Sequence, residues 1–362
     1  EESVGGEQDA RRASASPQSS FEPTPVLPRP PSSPFFLSVR SGIRQSAIIV
    51  VMSETSISPL LSVRSHPRCL EHEPGLGHPE TPERVRVVLD ALTARSEGRW
   101  VVDRENPLPP EEDVVGCLKW VHDSAHIERV REASERVRGW LDSQDCGVSS
   151  GTYRAALAAA GLALQTSLDM VNGRVRRAFV VARPPSHHAG WERASGYCFF
   201  NSVALAAEVV NRSWGLPVVI ADFGALHGDG IQRQFLDRGD VGFVSVHRYP
   251  AFPGTGGADE IGEGEGLGTT RNVPLAARAN DDIICAAFES ALTEVCGRMQ
   301  PAMKVQAAGF DAQRADPLGG RLMTEEGYKK HTAIAVSVAE TWSCLLYTSP
   351  SPRDTQPHRV CR

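Results

Sequence analysis

The apolar positions of the chain change period several times, and each change marks an element. Over residues 80–93 (ETPERVRVVLDALT), Val85, Val88, Leu89 and Leu92 recur at helical spacing. Residues 124–138 put Ile127 and Val130 on one helical face, and Thr152–Val171 (TYRAALAAAGLALQTSLDMV) reads as a long helix. So much alanine in one helix favours close packing against its neighbours. Four short runs are apolar throughout: 177–182 (RAFVVA), 217–222 (PVVIAD), 241–247 (VGFVSVH) and 304–309 (KVQAAG). Helical patterns at 202–210, 280–299 and 324–341 alternate with them. Strands without a polar face, alternating with helices, predict a mostly parallel central sheet with helices on both faces, a three-layer α/β fold.

The two ends lack any such period. Residues 1–60, with ASASPQSSFEPTPVLPRPPSSP, are rich in Ser, Pro and Arg and cannot bury a core, which predicts a disordered or non-native arm. A transit peptide and sequence upstream of a start at Met52 are the alternatives; Glu1, Glu2, Glu7 and Asp9 weigh against the first. The folded domain is expected over 61–342. Residues 343–362 (SCLLYTSPSPRDTQPHRVCR) hold three prolines, and SCLLYTSPSPRD resembles a translated sequencing-adapter string. The expectation there is an unstructured, artefactual tail following a C-terminally truncated domain.

Charge and composition narrow the function. Lys and Arg number 38 against 44 Asp and Glu, a net charge of −6 that argues against a general nucleic-acid-binding surface and leaves room for a cationic substrate. No apolar run approaches eighteen residues, and the candidate at 47–52 (AIIVVM) is far too short for a membrane-spanning helix. Eight cysteines without a C-x-x-C pair predict reduced thiols in an intracellular protein, with cytoplasm, nucleus and plastid all open. The basic spots at 174–177 and 329–330 read as solvated faces.

In open parallel sheets ligands sit beyond the carboxyl ends of the strands, and the segments that follow the strands here are polar and glycine-rich. RPPSHHAG (183–190) and GYCFFN (196–201) follow the first strand, and DFGALHGDG (222–230) the second. The third leads through SVHRYPAFPGTG (245–256), and the fourth through GFDA (309–312) to DPLG (316–319). None carries the lysine of a phosphate-binding loop. A lone strand-end histidine is more often scaffold than catalyst, but His187 and His188 are adjacent. Two imidazoles with carboxylate partners, Asp222 and Asp229, can hold different pKa values and so supply a base and an acid. A carboxylate on a ring nitrogen also fixes the tautomer. Asp311 closes a buried strand, where it needs a cation or a donor.

Together these motifs resemble the zinc-dependent histone deacetylase family, in the branch shared by class II enzymes and bacterial acetylpolyamine amidohydrolases. The resemblance runs in order from about Arg68 to Trp342. It also takes in HEPGLGHPETPERV (72–85), Asp145-Cys146, GEGEGLG (262–268) and NVPL (272–275). It implies an arginase/deacetylase-like fold and zinc-dependent hydrolysis of N-acetyl amides. The implied partners are acetylated lysine of a histone or another protein, or an acetylated polyamine, with no direct nucleic-acid or membrane partner. His187 and His188 would flank the metal-bound water, one as general base, paired with Asp222 and Asp229. Asp145 would hold the substrate backbone at the rim. Gly196 and Tyr197 would line the acyl channel, with Phe252 near the opposite wall. Asp311 would bind zinc, and Asp222 and Ser245 a monovalent cation such as potassium.

The chain departs from the family at three places. The family's strand-end motif is Asp-x-Asp-x-His-His-Gly-x-Gly, with zinc on its third and fifth positions; here those positions are Gly224 and Leu226. Catalytic zinc needs about three protein ligands, and without the metal a water keeps a pKa near its bulk value. His227, the second histidine of the pair, is not expected to face the metal. The family's Gly-Gly-Tyr loop, whose hydroxyl stabilises the oxyanion, has no counterpart; Tyr347 has no glycines before it. One such donor is worth about 10²–10³ in rate. Gln313 stands where the family usually has His. The chain as written is therefore expected to be inactive or strongly impaired as a deacetylase. The alternative is a metal-free pseudoenzyme that binds acyl-lysine or polyamine or serves as a scaffold. Either record damage, each change needing one nucleotide, or real loss accounts for Gly224 and Leu226. A manganese ureohydrolase would need paired Asp-x-His-x-Asp ligands, which are absent from the sequence.

Overall fold

Short apolar runs become strands where alternate residues can be buried on opposite faces, and helices cover those faces. The computed structural model describes residues 61–342 and 344–350; the arm at 1–60 lies outside the described residues. Its strands are β1 (Leu61–Arg64), β2 (Trp100–Asp103), β3 (Gly139–Leu141), β4 (Ser143–Val148), β5 (Arg177–Val180), β6 (Val218–Phe223), β7 (Val241–Arg248), β8 (Thr270–Leu275), β9 (Met303–Ala308) and β10 (Leu345–Pro350). Its α-helices are α1 (Glu83–Ala94), α2 (Glu111–Leu118), α3 (Ser124–Arg136), α4 (Thr152–Val171), α5 (Ser202–Trp214), α6 (Asp229–Phe235), α7 (Asp281–Met299) and α8 (Glu325–Thr341).

Eight strands form one sheet in the order β2-β1-β5-β10-β9-β6-β7-β8, and every pairing in it is parallel. β3 and β4 make a separate antiparallel pair. The buried side chains of β6 divide by parity. Val218 and Ile220 join a core with α2 to α6, whereas Val219, Ala221 and Phe223 join a core with α7 and α8. The expected three layers are thus present. Among the described residues no helix is long and apolar enough to cross a membrane.

Helix starts follow local chemistry. Asn201 accepts from the Ala204 N–H at the head of α5, Asn280 from Ile283 at α7, and Thr324 from Gly327 at α8. Each satisfies an N–H that the helix itself cannot. α4 runs over Thr152–Val171 as its pattern predicts, and its alanines pack against those of α5.

Besides β10, five strands escape the sequence pattern: the short antiparallel β3 and β4, and β1, β2 and β8 of the main sheet. β1 and β2 are four residues each and only partly buried, and β8 carries Pro274 and lies at the sheet edge, where a missing N–H is tolerated. The expectation of an unstructured tail needs correction. Residues 345–350 form β10 between β5 and β9, with Tyr347 fully buried against the core. LLYTSP suits that slot because a strand paired on both sides can bury Leu346 and Tyr347 on its two faces. The remainder of the tail, 351–362, lies outside the described residues.

Candidate functional site

Parallel pairing brings the exits of β5, β6, β7 and β9 to one edge of the sheet, and the chemical groups gather there. The segment after β5 carries His187 and His188, whose rings lie 4.0 Å apart. His187 Nδ1–H donates to Asp222 Oδ2 at 2.9 Å, and His188 Nδ1–H to Asp229 Oδ1 at 2.8 Å. Asp222 comes from β6 and Asp229 from the first turn of α6. The approach is tight. A Cβ on Gly228 would fall 1.9 Å from Asp222 Oδ2, so only glycine lets this turn pass the dyad.

The two imidazoles are driven apart. Burial works to lower the pKa of His187, but the Asp222 charge and hydrogen bond, with Asp311 and Asp229 behind them, outweigh it and the pKa is raised. Burial and the neighbouring His187 lower that of His188 to about 4, against the pull of Asp229. Asp229 is itself held below its usual value, since the His188 bond overcomes the penalty of burial. His188 is therefore neutral at pH 7, and its Nε2 has no hydrogen-bond partner. With Nδ1–H bound to Asp229, that Nε2 presents a lone pair. The pair can thus offer one proton donor and one acceptor side by side.

The walls are built from both halves of the sequence. Gly196 has φ +55°, and a Cβ there would fall 2.2 Å from His188 Cδ2. Tyr197 is buried at φ +69° and meets His78 edge-on at 4.7 Å. Phe252 meets the His188 ring edge-on at 5.1 Å from the other side and is partly exposed. His78 Nε2–H donates to the Asp145 carbonyl at 3.1 Å, tying the 72–80 segment to the rim, and Asp145 Oδ1 is buried without a partner.

Sequence reasoning overlooked two supports. His122 Nδ1–H donates to the Gly190 carbonyl while its Nε2 accepts from the Asn201 N–H, which brackets the channel loop. Arg183 forks onto Glu80 at 2.9 and 2.6 Å and also reaches the Cys69 carbonyl, with Arg84 on the same carboxylate. Arg183 and Glu80 are both buried, so this clamp joins the loop bearing the tandem histidines to the 66–82 segment. The signal for it was an arginine immediately before Pro-Pro in an apolar context.

The metal question turns on the exit of β6. Asp311 Oδ1 accepts the Ala225 N–H at 2.8 Å. Beside it stand the bare backbone of Gly224, where a Cβ would lie 2.8 Å from that same oxygen, and the buried apolar Leu226. His227 points elsewhere, onto Thr255 and Gln232. Among the described residues no three His, Cys, Asp or Glu side chains are grouped to hold a metal. The residues present do not fit zinc. One buried oxygen of Asp222, Oδ1, has no partner, and Asp222 is in register with Ser245, whose hydroxyl bonds His247 Nδ1. Tyr347 is in the core, away from these groups.

Comparison with known proteins agrees with this arrangement of motifs. A family model described as the histone deacetylase domain matches residues 78–348. Histone deacetylase 15 of Arabidopsis thaliana is 34% identical over 263 residues, covering 71% of this chain and 47% of that protein. This chain therefore spans about half the length of that relative. A histone deacetylase-like amidohydrolase of Pseudomonas aeruginosa is 33% identical over 271 residues, 73% of this chain and 69% of the relative. The crystal structure of the HDA15 HD domain superposes with a TM-score of 0.75 at 29% identity, covering 83% of this chain and 86% of that one.

Proposed function

Since this chain belongs to the histone deacetylase family, we propose that its pocket receives an acylated amine, and that the chain as it stands binds without zinc-dependent turnover. The ligand is N-acetyl-lysine of a histone or another protein, or an acetylated polyamine. The observation that carries this reading is the combination at the strand exits. Both histidine–aspartate pairs are formed, while Gly224 and Leu226 occupy the positions where metal donors would be needed.

Each residue has a part in binding. Gly196, Tyr197 and Phe252 enclose an apolar acyl stem, His188 and His187 face the amide, and Asp145 takes backbone N–H groups at the rim. The charge of the chain, −6, suits a cationic or lysine-rich ligand. The unpartnered Asp222 Oδ1 next to Ser245 supports a monovalent cation such as potassium beneath the histidines. The second reading is the family's hydrolysis of N-acetyl amides, favoured by the intact histidine–aspartate pairs; it requires metal donors at 224 and 226.

Calorimetric titration of the full chain with an acetyl-lysine peptide and with an acetylated polyamine tests this, with zinc, with a chelator and with neither. We expect saturable binding that ignores the chelator, and no released acetate. Zinc-dependent acetate release by the unaltered chain overturns the metal-free half of the proposal. Failure to bind either acylated amine overturns the binding half.

A further inference from the structure

Helix α6 supports the pocket through two residues. Asp229 orients His188, and Gln232, three positions on, is buried and bonds towards the segment that follows β7. That segment carries Phe252, whose partly exposed ring stands edge-on to His188 at 5.1 Å. Residues 249–263 run as turns and loop between β7 and a short 3-10 turn at Gly264–Gly266, so side chains must fix their course.

Hydrogen-bond direction shows how they do it. Burial works to raise the pKa of Glu260, but the Gly257 N–H, Gln232 and the Gly256 N–H together hold it below its usual value. An ionised carboxylate only accepts, so Gln232 turns its Nε2–H towards Glu260 Oε2 and leaves its own Oε1 to accept. Asn272 Nδ2–H reaches that Oε1 at 2.6 Å, and His227 Nε2–H at 3.0 Å. Burial lowers the pKa of His227, and the neutral ring takes the Thr255 hydroxyl on Nδ1 at 2.8 Å. The other oxygen of Glu260, Oε1, accepts the Gly256 and Gly257 N–H groups at 2.9 and 2.8 Å. The circuit leaves the loop at Thr255 and returns to it at the next two residues. His247 Nε2–H adds a bond to the Gly256 carbonyl at 3.0 Å. The approach needs glycine: Gly256 has φ +91°, and a Cβ there would fall 2.5 Å from His247 Nε2.

We propose that Gln232 and Glu260 are positioning residues that set the width of the acyl channel, by tying the Phe252 loop to the same helix that orients His188. One element then fixes both the histidine and the ring that stands against it. Every bond in the circuit has a single allowed direction, and those to Glu260 are charge-assisted. The wall therefore cannot retreat from a bulkier acyl group, and the channel selects acetyl. An extra methylene in such a fitted channel is worth about tenfold or more.

The selectivity rests on the binding reading above, whereas the placing of Phe252 does not, and an exchange of side chains tests the two separately. Against an unmoved Gln232, Glu260→Gln leaves donor facing donor whichever way the new amide turns. Its N–H₂ group meets either the Gln232 N–H or the Gly256 and Gly257 N–H groups. Gln232→Glu/Glu260→Gln puts an acceptor opposite each of these donors again. Proton NMR of the full chain without ligand follows the His188 ring, which feels the ring current of Phe252. We expect Glu260→Gln to move that signal and the exchange variant to bring it back. A signal that stays in place, or does not return, overturns the positioning role. Should either variant not fold, Thr255→Val removes one bond of the circuit and is expected to move the same signal; an unmoved one overturns the role equally. Calorimetry then compares an acetyl-lysine peptide with its butyryl analogue. Glu260→Gln is expected to shrink the preference for acetyl by about tenfold, and the exchange variant to restore it. An unchanged ratio overturns the selectivity. A parent chain that binds neither peptide ends the binding reading and the selectivity with it, while the NMR result still decides the positioning.

Discussion

Gly228 shows how little freedom the site has at the scale of one residue. Its missing Cβ is what lets Asp222 reach His187. We expect Gly228→Ala to destabilise the fold by about 1–3 kcal/mol, as overpacking of a dense interior does, and to break the dyad. Urea unfolding measures the first and an NMR titration of His187 the second; an unchanged midpoint with an unchanged titration would sink the argument. Asp222→Asn separates charge from geometry. Burial alone lowers an imidazole pKa, and His187 is raised because Asp222 outweighs burial. Removing that charge should drop the His187 pKa, and a pKa that stays up would assign the shift to another group. The histidines and their partner carboxylates were legible in the sequence because adjacent His187 and His188 at a strand exit stand out against the background. Glu260 was not. A single glutamate in a glycine-rich loop looks solvated until its partners are known.

Among the elements, β10 separates pattern from placement. Its six residues end on Pro350, with Pro352 close behind, and carry no long period, so the segment looked irregular. Pairing with β5 and β9 makes a strand of it. A chain ending at residue 343 would leave both neighbours with unpaired edges in the middle of the sheet. We expect that chain to be insoluble or to lose cooperative unfolding, and Tyr347→Ala in the full chain to lose about 3–5 kcal/mol, as for other buried aromatics. A soluble truncated chain with the parent's unfolding midpoint would show that β10 adds nothing. β5, β6, β7 and β9 were easier to recognise because each is a mostly apolar run, which is a local property. β1, β2 and β8 sit toward the edges, where mixed polarity hides them.

Over the whole molecule, buried imidazoles set the acid limit. Burial is the leading cause that lowers His72 to about 4 and His122, His247 and His331 each to about 3. In the unfolded chain these groups take up protons near 6.5, and in the folded chain only near 3 to 4. Their neutral burial is therefore harmless above about pH 6.5, and stability falls as the pH drops towards 4. Each group contributes up to about 1.4 kcal/mol per pH unit across that window. His187 acts oppositely: its raised pKa adds stability that is fully present below 6.5 and lost as the pH rises through its folded value. We expect the urea midpoint to drop by several kcal/mol equivalent between pH 7 and pH 5, measured by circular dichroism. A flat profile would mean that these imidazoles protonate in place.

The longer helices, the strands β5, β6, β7 and β9 with their order, the three layers and the chemical groups at the strand exits were determined by the sequence alone. Period and apolarity are carried by neighbours a few positions apart, and the parallel sheet follows from them. Tertiary structure alone decided which charges are removed from water and what meets them. Glu80 and Arg183 are 103 positions apart, and Ala225 and Asp311 are 86 apart. β10 is a strand only because β5 and β9 stand on either side of it. Burial and pairing of this kind depend on chain crossings that no local pattern encodes.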